Sequence, residues 1–166
     1  MQRVSPPKEK TSDYCVKQED EKILHFSLQD TLPRGQSLVL NTTSGTLSYL
    51  CCSGDRPRLV IQQQFTSNEM RALIPLLKSF PHYCPYEVMF ASFYNGEVTD
   101  ATVVQCRRCL QEALEAGTWD QEMKAIRNVL SRTRLKLRDF GITISSILET
   151  GYILRLESLP IQGGHA

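Results

Sequence analysis

MKAIRNVLSRTRLKLRDFGITISSILETGYIL, running from Met123 to Leu154, changes its period halfway along, and that change decides the fold. In its first half Met123, Ile126, Leu130 and Leu137 recur at intervals of three, four and seven residues, which places them on one face of a helix. The spacing predicts a helix over 120–138, closed by Gly141. Beyond it, Ile142-Thr143-Ile144-Ser145-Ser146-Ile147 and Tyr152-Ile153-Leu154 alternate with period two around a turn containing Gly151. That pattern predicts a β-hairpin directly after a basic helix.

At about 100° per residue, with Ile126, Leu130 and Leu137 turned inward, the outward arc of the helix holds Gln121, Lys124, Asn128, Ser131, Arg132 and Leu135. Arg127, Arg134 and Arg138 flank it. Six Lys or Arg stand against two acids, Asp120 and Glu122, within 120–138; six minus two leaves +4 locally, in a chain whose formal net charge is +1. Cationic flanks neutralise phosphates and fix register, while Asn, Ser and Arg can exchange hydrogen bonds with base edges. A hairpin after such a helix can add a contact in the neighbouring minor groove. The candidate DNA contacts are therefore Lys124, Arg127, Asn128, Ser131, Arg132, Arg134, Lys136 and Arg138 on the helix and Thr150 in the hairpin. The competing reading is a solvated face with no ligand.

Working back toward the start, Asp100 to Ala116 reads as another amphipathic helix, with Val103, Cys106, Leu110, Ala113 and Leu114 on one side and Gly117 as its stop. A short helix over 86–93 begins after Pro85 and ends at Asn95-Gly96. Thr66-Ser67-Asn68-Glu69 has the form of a capping box, followed by Met70, Leu73, Ile74 and Leu77 at helical spacing. Pro75 inside that run is expected to kink or shorten the helix. Three strand candidates precede it, at 37–41, 46–52 and 58–64, separated by Thr43-Ser44-Gly45 and Ser53-Gly54-Asp55. Order is expected to begin at Ile23. Residues 1–22, polar and rich in Pro, Lys, Glu and Asp, read as a disordered tail, and 159–166 as a second flexible tail.

The run Ser131-Arg132-Thr133-Arg134-Leu135-Lys136-Leu137, followed by Gly141-Ile142-Thr143-Ile144 and Gly151-Tyr152, resembles the recognition helix and wing of OmpR/PhoB-type response-regulator effector domains. The resemblance covers roughly 38–156 and includes the upstream order of strands, Thr-x-x-Glu helix start and second helix. It implies an α+β fold over 23–158: a winged helix-turn-helix with an N-terminal antiparallel sheet, a three-helix core and a C-terminal hairpin wing over 142–156. It implies a bacterial, sequence-specific regulator of transcription that binds double-stranded DNA, without a receiver domain. Three features depart from the family pattern. Leu148-Glu149-Thr150 stand where an arginine usually precedes the Gly-Tyr pair, and Thr133 replaces a leucine. Residues 97–119 exceed the usual loop between the second and third helices and insert a helix there. In this family that loop often touches RNA polymerase, so the insertion implies a changed surface for the polymerase or another protein. A winged-helix protein-interaction module that has lost DNA binding is the alternative, favoured by Leu148-Glu149, exposed Leu135 and the extra helix.

Nothing in the composition demands a cofactor or a membrane. Hydrophobic residues make up 41% and charged residues 22%, ordinary for a globular domain. No apolar run reaches the roughly 18 residues of a membrane span, and the start carries no signal-peptide pattern, so a cytoplasmic location is expected. The six cysteines read as free thiols in a reducing compartment. Cys106-x-x-Cys109 has metal-ligand spacing, with Cys51-Cys52 as conceivable partners, against the simpler reading of structural thiols. His82-Tyr83-Cys84 reads as loop packing rather than a nucleophile pair, and Trp119 and Tyr152 as core residues. With no phosphate loop or His-Glu-x-x-His motif either, an enzyme, a cofactor and a metal are not expected.

Overall fold

The computed structural model describes residues 22–28 and 31–157. It is a mixed α+β structure with two antiparallel sheets and four α-helices. The larger sheet has the order β1-β2-β3-β4, with β1 at Ile23–Phe26, β2 at Gln36–Asn41, β3 at Thr46–Ser53 and β4 at Arg56–Gln64. Its inward positions alternate as a half-buried sheet requires. Leu38 lies opposite Tyr49 and Leu40 opposite Leu47, all four buried. Tyr49 lies opposite Ile61 and Leu50 opposite Leu59, a register shift that leaves Val60 as an extra residue in β4. Of the two expected tails, residues 1–21 and 158–166 lie outside the described residues. Lys22 is ordered by its carbonyl, which accepts from both the backbone N–H and the hydroxyl of Thr42.

The first helix, α1, spans Ser67–Ser79. Thr66 Oγ1 accepts from the Glu69 N–H at 3.3 Å, and Glu69 Oε2 accepts from the Thr66 N–H at 2.9 Å, so the capping box is complete. Pro75 does not shorten α1. Its ring nitrogen cannot donate to the Arg71 carbonyl four residues back, and the buried Ser92 hydroxyl donates there instead, at 2.6 Å.

Cys84–Pro85 form a two-residue strand, β5, and Tyr86–Phe90 the helix α2. The predicted helix over 86–93 continues as a π-helical turn, Ala91–Asn95, ended by Gly96. Helix α3, Asp100–Ala116, packs on α2 and on α4, Trp119–Leu137. Cys106, Leu110 and Ala113 are its buried residues; Leu114, expected on that side, is exposed. A 3-10 turn at Arg138–Phe140 leads into β6, Ile142–Ile147, and β7, Gly151–Leu156.

The smaller sheet has the order β5-β7-β6, so the final hairpin is tied back to the strand between α1 and α2. Gly151 makes this possible: a β-carbon there would lie 2.0 Å from the Cys84 carbonyl oxygen. One apolar core joins both sheets and the helices, from Leu38 and Tyr49 through Leu73, Leu76 and Met89 to Ile126, Leu130, Ile144 and Leu154. Among the described residues, no helix is long and apolar enough to cross a membrane.

Candidate nucleic-acid interface

Helix α4 presents two faces. Inward, Met123, Ile126, Val129, Leu130, Thr133 and Leu137 are buried against α1 and β6. Val129 and Thr133 were absent from the predicted core. Thr133 fits because its hydroxyl donates back to the Val129 carbonyl at 2.9 Å, leaving its methyl free to pack where a leucine was expected. Acids lie in the first turn, Asp120 and Glu122, and bases in the last, Arg134 and Lys136, as the helix dipole favours.

Outward, Lys124, Asn128, Ser131, Arg132 and Leu135 are exposed, as is Arg138 in the 3-10 turn that continues the helix. Their intervals of mostly three and four residues put them in one stripe, about 21 Å long at 1.5 Å per residue. The side chains of Lys124, Asn128, Arg132 and Arg138 make no hydrogen bond or ion pair with any described residue. Ser131 remains exposed while its hydroxyl donates to the Arg127 carbonyl. No acid follows Glu122 on this helix.

The other candidates are placed differently. Arg127 is exposed and pairs with Asp120 at 2.8 Å, a contact that raises its pKa through the hydrogen bond. Both partners are solvated, so the pair is weak and open to competition. Arg134 is half-buried, its Nε donating to the Ile144 carbonyl at 2.9 Å and fastening α4 to β6.

Lys136 does not join the outward stripe. Its ammonium donates to the Gln64 carbonyl at 2.9 Å and to Glu69 Oε2 at 2.6 Å, and lies 5.4 Å from the Phe65 ring centre. It therefore ties α4 to the end of β4 and to the α1 cap. Outward placement fails for Lys136 because the capping carboxylate of α1, contributed 67 residues earlier, is a nearby buried anion.

The hairpin is held beside α4 by edge-to-face aromatic contacts. Tyr86 meets Trp119 edge-on at 5.2 Å and Tyr152 at 5.4 Å, and its hydroxyl donates to the Ile147 carbonyl. Trp119 is half-buried against the core and Tyr152 is buried, both as expected. At the tip, Leu148 is 86% exposed and Glu149 takes a positive φ of 56°. The half-buried Thr150 turns its hydroxyl onto the Leu148 carbonyl.

Burial pushes the Cys84 thiol up to about 12, so its thiolate is scarce at neutral pH, and His82 beside it in sequence is exposed. Cys51 and Cys52 lie in β3, Cys106 and Cys109 in α3. Among the described residues, no three or more His, Cys, Asp or Glu gather where they could hold a metal ion. Against family models, curated proteins and solved structures, the chain has no match.

Proposed function

We propose that residues 23–157 form a winged helix-turn-helix domain that binds double-stranded DNA and acts as a cytoplasmic transcription regulator. The element order supports the winged-helix reading. One strand between α1 and α2 pairs with the last strand of a hairpin that directly follows α4, giving the order β5-β7-β6. On this reading α4 is the recognition helix, β6–β7 the wing, and α3 an insertion within the helical core. The observation that carries DNA binding is the outward stripe of α4. There Lys124, Arg132 and the amide of Asn128 stand without a partner among the described residues, beside Ser131; Arg138 follows in the 3-10 turn next to exposed Asp139, and α4 itself has no carboxylate beyond its first turn. Lys124, Arg132 and Arg138 meet phosphates, Arg127 joins them by exchanging Asp120 for a phosphate, and Asn128 faces a base edge.

The test is a fluorescence-anisotropy titration of the chain onto random-sequence duplex DNA at several salt concentrations, with selection of bound fragments from a random pool. Binding that weakens steeply with salt, and an enriched motif whose preference changes in Asn128→Ala, is the expected result. No binding at low salt refutes the reading. The exposed Leu148 and Leu135 favour a second reading, a winged-helix module that binds protein. A stable oligomer by light scattering together with absent DNA binding would support it.

A further inference from the structure

A cleft of about 470 Å³ opens where the β1 end of the four-stranded sheet meets α1 and the π-helical turn. That volume lies within the usual range of small-molecule sites. Arg71, Ile74, Pro75 and Lys78 stand three, four and seven residues apart on α1, so they form one stripe, and all four line the cleft. Lys22 contributes a third cation from the sheet side. Among the described residues no carboxylate lines it, and Glu97, between the lining residues Gly96 and Val98, is not part of the wall. Leu24, Val88 and Val98 join Ile74 in the apolar lining.

The walls are fixed to one another. Pro75 leaves the Arg71 carbonyl without its helical donor, and the buried Ser92 hydroxyl supplies one across the cleft wall at 2.6 Å. Ser92 sits on the π-helical turn, an interruption found frequently at functional sites. Arg71 donates one N–H to the Phe93 carbonyl at 3.4 Å, which positions the guanidinium beside Gly96. Its other donors have no partner among the described residues. Three like charges around one concavity repel each other, and an anion between them relieves that repulsion.

We propose that this cleft binds a compact organic anion bearing two or more carboxylate or phosphate groups on an aliphatic frame. Oxyanion groups take the three cations, Arg71 by a bidentate contact, and the frame lies on the apolar lining. The proposal is independent of DNA binding, because it uses none of the outward residues of α4.

The experiment is an NMR titration of the isotope-labelled full chain with citrate, with fructose 1,6-bisphosphate and with inorganic sulfate, at constant ionic strength. Saturable shifts in the amides of 71–78 and 88–98 with one of the organic anions, and weaker binding of sulfate, are expected; which one binds separates carboxylate from phosphate recognition. Arg71→Gln and Lys78→Gln should each weaken binding about tenfold, the loss of one charge-assisted contact. Glutamine keeps the helix propensity, so both variants should fold. No saturable shift with either organic anion overturns the proposal. So do shifts centred on 124–138, equal binding of sulfate, or affinity unchanged in both variants.

Discussion

The outward face of α4 and the tip of the β6–β7 hairpin are neighbours in the chain and carry opposite chemistry. The helix face offers Lys124, Asn128, Arg132 and Arg138 to solvent, while the tip offers Leu148 and Glu149. Both are positioned by the same packing, since Arg134 fastens the helix to β6 and Tyr86 fastens the hairpin end to α2. The difference is therefore one of surface, not of scaffold. Positive charge is concentrated on the helix face, and the hairpin adds none at its tip.

The largest effect should come from Gly151→Val, which attacks the shared scaffold. Its β-carbon would overlap the Cys84 carbonyl oxygen at 2.0 Å, a backbone atom that cannot turn aside. Parting β5 from β7 should cost about 3 kcal/mol, measured by urea unfolding. Wild-type stability in this variant would show that the β5–β7 contact does not hold the hairpin.

Next comes the helix face itself. Replacing Lys124, Arg132 and Arg138 together by Ala should weaken duplex binding about 100-fold and reduce the salt slope by about three, with unfolding unchanged. Arg134→Gln should do the reverse, loosening α4 from β6 with little change in slope. If the two variants behaved alike, the division of α4 into a scaffold side and a ligand side would fail.

How far the sequence revealed that division follows from the range of the interactions. The start of α1, both ends of α3 and α4, and the strands of the three hairpins β2–β3, β3–β4 and β6–β7 depend on residues within a few positions of one another, and the sequence pattern places them within one or two residues, whereas the break expected at Pro75 does not occur. β5 has two residues and no period to detect. The Ser92 hydroxyl, on the π-helical turn, donates to the Arg71 carbonyl that Pro75 leaves without a helical donor, a pairing across 21 residues that no local pattern announces. Lys136 and Arg134 looked like further groove contacts because helical spacing assigns a direction to a Cα. A long side chain can instead bend to an anion or carbonyl contributed from elsewhere. Lys124, Asn128 and Arg132 find no such partner among the described residues, and Arg138 makes no ion pair there although it shares a cleft with Glu157; all four are exposed, as the spacing predicts.

That contrast gives a smaller effect, through Lys136. Its partner Glu69 is only 4% exposed, against 28% for Lys136 itself, so Lys136→Met leaves a buried carboxylate without its cation. The expected loss is about 2 kcal/mol at neutral pH, below the usual cost of breaking a fully buried pair because the lysine is partly solvated. Burial alone would raise the Glu69 pKa, but the hydrogen bonds from Lys136 and Thr66 and the Lys136 charge outweigh it and hold the carboxyl below its ordinary 4.5. A depressed carboxylate stabilises fully above its unfolded pKa, and that contribution disappears as pH falls through the folded value. The gap between wild type and Lys136→Met should therefore be widest near neutral pH and close below about pH 4.5. A gap that stays constant down to pH 3 would exclude the Glu69 pair as its source.

The smallest effect sharpens the comparison at the tip. Glu149 already occupies a positive φ, so Glu149→Lys changes the charge without asking more of the backbone. If the tip approaches the duplex when α4 is seated, removing a repulsion and adding a cation should tighten binding about threefold and steepen the salt slope by about one. The same substitution in the Lys124/Arg132/Arg138 variant should give a similar gain, because the two surfaces are separate and their contributions should add. Affinity and slope both unchanged in the wild-type background would mean that the tip stays clear of the phosphates, and that α4 alone carries the electrostatic contact.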